Sequence, residues 1–153
     1  MIKEVFLGIS GGIAAYKACT LIRLLKKAGI GVKVVLTKNA FKFVTKITIE
    51  TLSKEPCCFE LFANPNEMTH LKSRKLADVF VIAPATANVI AKLACGLADD
   101  LLTSSFLAYE GPKLVVPAMN SGMYNNPVTL ENIEKLRSRG IEILGPDKGV
   151  LAC

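Results

Sequence analysis

The stretch LGISGGIAAYK, residues 7–17, joins an apolar run to a helical pattern. Gly11 and Gly12 let the backbone come close to a ligand. Ser10 offers a hydroxyl, and the helix start offers free N–H groups and the positive end of its dipole. That is the chemistry of a phosphate cradle, and the alternative is a tight turn of an α/β unit. The spacing matches neither the G-x-G-x-x-G of dinucleotide binders nor the G-x-x-x-x-G-K-[ST] of nucleotide triphosphatases. Thr37, in VLTKNAF, stands where an NAD enzyme would carry an acid for a ribose hydroxyl. A hydroxyl and a lysine there favour a phosphate or a polyol. Thr86 and Asn88, in APATANVIAKL, have groups that either cap a helix or donate to a phosphate. Asn120, in PAMNSGMYNNP, carries an amide suited to a carboxylate or an oxyanion. Met119 and Met123 are polarizable and suit a flat ring or a packed core. His70, the single histidine, lies in the polar stretch ANPNEMTH and can exchange a proton near neutral pH. No serine or cysteine motif beside it forms a visible nucleophile pair.

These residues stand at the ends of apolar runs that alternate with helical patterns. Strands are predicted over 3–9, 31–37, 77–83, 113–118 and 141–145, with a short edge strand in 56–62. Helices are predicted over 12–28, from the Thr45 cap onward, over 85–96 and 98–108, and from the Asn126 cap and Pro127 to Gly140. In the first helix, Ile13, Lys17, Leu21, Leu24 and Leu25 fall at helical spacing, and Gly29 is its stop. Strands nearly continuous in Val, Ile and Leu imply a parallel sheet covered on both faces. The expected fold is α/β: a Rossmann-like three-layer sandwich in one domain, 1–153. Ligands of such sheets bind beyond the carboxyl ends of the strands, where the residues above are placed.

The bulk numbers fit a globular domain: 153 residues, 51% hydrophobic, 7% aromatic and 21% charged. The net charge of +6 is spread along the chain, and its densest group, Arg23, Lys26 and Lys27, sits late in a helix where cations suit the dipole. Aromatic and basic residues do not interleave as a nucleic-acid platform requires, so no nucleic-acid partner is expected. No apolar run approaches the ~20 residues of a membrane span, and residues 1–9 lack a secretory pattern. The expected setting is cytoplasmic, with no membrane partner. Five cysteines without a C-x-x-C argue against a disulfide framework or a zinc site. Cys19 and Cys95 are expected to pack, whereas Cys57 and Cys58 remain open.

GISGGIAAYK, MTH, LADVFVIAPATANVIAKLACGLADDLLT, PAMNSGMYNNP and the final GVLAC, taken together and in this order, resemble the homo-oligomeric flavin-containing cysteine decarboxylases. PAMN with LAC points to the branch acting on 4′-phosphopantothenoylcysteine in coenzyme A synthesis. The resemblance implies FMN, with Ser10, Gly11, Gly12, Thr37, Thr86 and Asn88 around its phosphate and ribityl chain, and Ala118 and Met119 beside its ring. It implies that His70 serves the first oxidation and decarboxylation, that Asn120 holds the substrate carboxylate, and that Cys153 gives the last proton. The implied chemistry is oxidation of the cysteine CH2–SH to a thioaldehyde, loss of CO2, and reduction of the resulting enethiolate to 4′-phosphopantetheine. No metal is implied. The family forms trimers, often four in a dodecamer, with FMN between neighbours. Its pattern continues past this cysteine with a flap, often succeeded by a ligase domain, so the resemblance leaves open whether the natural chain extends beyond Cys153. Peptidyl-cysteine decarboxylases, flavin prenyltransferases and FMN-carrying regulatory subunits are the alternative readings.

Overall fold

The computed structural model describes residues 1–61 and 77–145. Within them β1 (Glu4–Ile9), β2 (Gly31–Leu36), β3 (Val79–Ala85), β4 (Lys113–Pro117) and β5 (Glu142–Ile143) form one parallel sheet in the order β2-β1-β3-β4-β5. β1 is the centre of the register: Val5 faces Val32 on one side and Val79 on the other. The chain winds outward from β1 to β2, then returns to the other side of β1 with β3 and winds outward through β4 and β5. Such a reversal parts the connections at the carboxyl ends of β1 and β3 and leaves a crevice there.

Apolar side chains leave the strands on both faces, so the core has two halves. On one, Phe6, Phe80, Ile82 and Val115 meet α3 (Ala87–Cys95), α4 (Leu101–Ala108) and α6 (Pro127–Ser138) through Ile90, Leu93, Phe106 and Ile133. Phe80 is fully buried at its centre, 4.5 Å from the Phe6 ring and 5.3 Å from that of Phe106. On the other, Leu7, Ile9, Val34 and Leu36 meet α1 (Ala15–Lys27) and α2 (Lys46–Ser53) through Ala15, Ala18, Ile22 and Ile49. This is the expected three-layer sandwich.

Local chemistry sets most helix ends. Thr45 accepts from the Thr48 amide, Thr86 from that of Val89, and Asn126 from that of Val128 ahead of Pro127. Asp100 and Thr103 form a reciprocal capping box at α4. Gly96 and Gly140 close α3 and α6 at φ +71° and +78°, a region glycine enters without steric cost.

Four expectations are corrected. α1 begins at Ala15 rather than residue 12, because Gly11–Ala14 turn before the helix starts. Its buried face is Ala15, Ala18 and Ile22, while Ile13 and Leu24 are 54% and 60% exposed. Small alanines let α1 sit close to the sheet; of the larger apolar stripe, Leu21 and Leu25 pack against this half of the core at its margin, while Ile13 and Leu24 turn outward. Cys95, at the last turn of α3, is exposed rather than packed. Among the described residues of the segment 56–62, which end at Leu61, there is no full strand, only a parallel bridge from Val35 to Cys58. There Cys57 packs with one half of the core and Cys58 against the other. Burial pushes the Cys57 thiol up to about 11 and raises Cys58 too, so both are inert thiols at neutral pH. Two short elements were not anticipated, a 3-10 turn over Lys38–Lys42 and α5 (Ser121–Tyr124). Among the described residues no helix is long and apolar enough to cross a membrane.

Candidate ligand-binding cleft

The crevice is a cleft of about 1350 Å³, bounded by the loops after β1, β2, β3 and β4. Its lining brings together Gly11, Gly12, Thr37, Thr86, Asn88, Ala118, Met119 and Asn120, residues far apart in the chain. His70 and Cys153 lie outside the described residues. Ser10 is fully buried, and its hydroxyl is used inside the protein: it donates to the Pro84 carbonyl at 2.7 Å and accepts from the Thr86 amide at 3.0 Å. It thereby locks the turn after β1 to the start of α3, placing Gly12 against Thr86, whose methyl would stand 3.3 Å from a Cβ on Gly12.

The end of the cleft at Gly11–Gly12 suits an anion. No side chain caps α1, unlike α2, α3, α4 and α6; its first amides, those of Ala15, Tyr16 and Lys17, donate to the Gly12, Ile13 and Ala14 carbonyls of the turn, so what this end offers a ligand is the positive end of the dipole and the backbone of the glycine turn. Thr37 supplies an independent sign. It is 9% exposed, lines the cleft, and its Oγ1 is buried without a hydrogen-bond partner. A buried hydroxyl left unpaired costs roughly 1–3 kcal/mol, which an acceptor in the cleft would remove. Gly11 works differently from the expectation that a side chain there would obstruct a ligand. A Cβ on it would lie 2.4 Å from Asn39 Cβ and 2.6 Å from the Asn39 backbone carbon, so Gly11 is where the loop after β2 crosses the turn after β1.

At the other end, Ala118 is tied to β3 by its amide, which donates to the Ala85 carbonyl at 2.9 Å. Asn120 is the cap of α5 and accepts from the Gly122 amide at 2.7 Å through Oδ1. That bond fixes the amide's sense: Nδ2, a donor, is the end left for a ligand. Ala118, Met119 and Met123 give this end an apolar wall.

The wall also carries charged residues, of which only Lys38, the lysine of VLTKNAF, was given a ligand role from the sequence. Lys17 and Lys38 flank the glycine turn, and Lys92, Asp99 and Asp100 line the cleft along α3. The signal for Lys92 was its place four residues after Asn88, on the same helical face. Lys92 Nζ lies 2.8 Å from each Asp99 carboxylate oxygen, and these bonds hold Asp99 below and Lys92 above their ordinary values. Among the described residues no cluster of His, Cys, Asp and Glu is arranged to hold a metal ion.

The coenzyme A biosynthesis bifunctional protein CoaBC of Vibrio vulnificus (strain YJ016) is 48% identical over 153 residues, covering 99% of this chain and 38% of the relative. The chain spans little more than a third of the length of the curated relatives it matches. A crystal structure of the FMN-dependent cysteine decarboxylase SpaF superposes with a TM-score of 0.91 at 31% identity, over 96% of this chain and 86% of that one. A PPC decarboxylase variant complexed with pantothenoylaminoethenethiol superposes with a TM-score of 0.87 at 31% identity, over 99% and 86%. The sheet order and layers of this chain are thus those of the flavoprotein decarboxylase fold. The family model described as Flavoprotein matches residues 1–153, and the chain belongs to that family.

Proposed function

We propose that residues 1–153 are one FMN-binding domain that decarboxylates 4′-phosphopantothenoylcysteine to 4′-phosphopantetheine in coenzyme A biosynthesis. The observation that carries this reading is the unpaired, buried hydroxyl of Thr37, which lines one cleft with the glycine turn before α1 and with Asn120. The residues fit a mononucleotide: a single anion cradle at Gly11–Gly12, Thr37 and Thr86, and an apolar wall at Ala118 and Met119 for a flat ring. The names of the relatives support the same ligand and substrate.

When bound, FMN supplies the two-electron oxidation of the substrate's CH2–SH group and its later reversal, so the net reaction is redox-neutral. The chain's own residues do the rest. Thr37 and the backbone of the glycine turn, at the positive end of the α1 dipole, bind the phosphate, and Asn88 reaches the polyol. Ser10 holds the cradle in shape from beneath rather than touching the ligand. Asn120 Nδ2 donates to the substrate carboxylate, and α5 keeps that donor aimed by its cap. Ala118 and Met119 keep water from the reacting carbon. His70 exchanges the proton of the first stage, and Cys153 gives the proton of the last, a task suited to a thiol, which is a far better acid than a hydroxyl.

The active form we propose is a homo-oligomer, trimer or dodecamer, working in the cytoplasm. Exposed apolar residues at the cleft rim, Ile13, Tyr16, Met123 and Leu144, suit burial against another copy. The test is turnover. The purified chain is to be checked for a flavin spectrum and incubated with 4′-phosphopantothenoylcysteine, with CO2 release followed by product mass. Flavin bands and 4′-phosphopantetheine are expected. A flavin-loaded chain that releases no CO2 from this substrate but does so from a C-terminal peptidyl cysteine would move the reading to the peptide branch.

A further inference from the structure

Among the described residues Lys92 is the least exposed cation of the ion pairs: its side chain is 20% exposed, against 36% for Lys33 and 53% for Lys46. It stands in the second turn of α3, about 9 Å along the helix from the Thr86 cap. Its ammonium meets two carboxylates, bidentate to Asp99 and 3.7 Å from Asp100 Oδ2. All three side chains line the cleft. Asp100 does not depend on Lys92 for its place, because Oδ1 accepts from the Thr103 amide and hydroxyl, each at 2.8 Å. α3 does not depend on it either, being closed by Thr86 and Gly96. Taking away the ammonium would therefore leave two carboxylates fixed on the wall of a cleft whose cradle is built for an anion.

We propose that Lys92 is a positioning residue which, by pairing with Asp99 and Asp100, offsets one of the two negative charges of this wall and so lets the cleft accept a phosphate-bearing ligand. This rests on the flavin reading above, in which that ligand is a phosphorylated flavin. The interaction is electrostatic and acts at a distance, so it discriminates by ligand charge rather than by shape. A flavin lacking the phosphate is the natural comparison, since it keeps the ring and the ribityl chain and drops the charge.

The experiment compares the dissociation constants of FMN and riboflavin for the full chain, read by flavin fluorescence at low and at high salt. The variants are Lys92→Met, Lys92→Arg and Asp99→Asn, each checked for folding by circular dichroism. Lys92→Met is expected to weaken FMN about tenfold at low salt, less at high salt, and to leave riboflavin within about twofold. Lys92→Arg should restore the FMN preference, and Asp99→Asn should tighten FMN without help from any change at Lys92. If Lys92→Met weakens both flavins alike and independently of salt, Lys92 is a structural tie and the proposal is wrong. The same holds if FMN affinity is unchanged. Should Lys92→Met not fold, Asp99→Asn decides alone, and unchanged or weaker FMN binding overturns the proposal. A parent chain that binds neither flavin refutes the flavin reading itself, a separate result from a parent that binds FMN with variants that behave like it.

Discussion

Thr37 shows how one hydroxyl links stability to binding. Its Oγ1 is buried and unpaired, so Thr37→Val, which keeps the shape, is expected to leave the ligand-free chain as stable or more stable by about 1 kcal/mol. The same change should weaken FMN by roughly ten- to a hundredfold, the worth of one hydrogen bond to a charged group. Urea melts and flavin titration check the two signs separately. Ser10 has the opposite profile. Its hydroxyl is satisfied on both sides, so Ser10→Ala should cost about 1–3 kcal/mol in a urea melt even without ligand. Asn120 separates binding from chemistry. Asp caps helices as well as Asn does, so Asn120→Asp keeps the bond from the Gly122 amide and the fold. It replaces the Nδ2 donor by a negative charge, which repels a carboxylate ~4 Å away by about 4 kcal/mol at an effective dielectric of 20. Flavin content should be retained and CO2 release should fall to near background.

At the scale of elements, Asp78 joins the sheet's two central strands at their start. Its Oδ2 accepts from the Lys3 and Glu4 amides at 2.6 and 3.0 Å, ahead of β1, while its own amide donates to the Glu4 carbonyl. These amide bonds hold its carboxyl below the ordinary value. Its contribution is therefore present above the unfolded-state carboxylate pKa and is lost as pH falls through the lowered folded value. Asp78→Asn should melt below the parent at neutral pH, and the two melting curves should converge on acidification. The elements themselves were legible where caps and stops are chemical: Thr45, Asn126 with Pro127, Gly96 and Gly140 mark helix ends in the sequence as in the fold. The buried face of α1 was not legible. Periodicity rewards large apolar residues, whereas close approach to a sheet is made by small ones, so Ala15 and Ala18 face the core and Leu24 does not. The exposure of Cys95 has the same origin, a face chosen by tertiary packing rather than by pattern.

For the whole molecule, the winding of the sheet decides where the chemistry gathers. Alternation of strands and helices was enough to place Gly12, Thr37, Thr86 and Asn120 at strand ends, and the topological reversal between β1 and β3 gathers those ends into one cleft. The sequence alone could not tell which hydroxyl faces the ligand. Ser10 and Thr37 read alike as motif residues, and only their hydrogen-bond partners distinguish the internal lock from the hydroxyl left to donate to a ligand. Nor could it show Lys92 meeting Asp99 across seven residues, because that pairing depends on the turn at Gly96. The most direct measurement is a crystal structure of the chain with FMN. The phosphate is expected within about 3 Å of the Thr37 hydroxyl and against the Gly11–Gly12 turn, with the ring against Ala118 and Met119 on the side facing Asn120. A phosphate held elsewhere, with the Thr37 hydroxyl still unpaired, would contradict the assignment of the cradle.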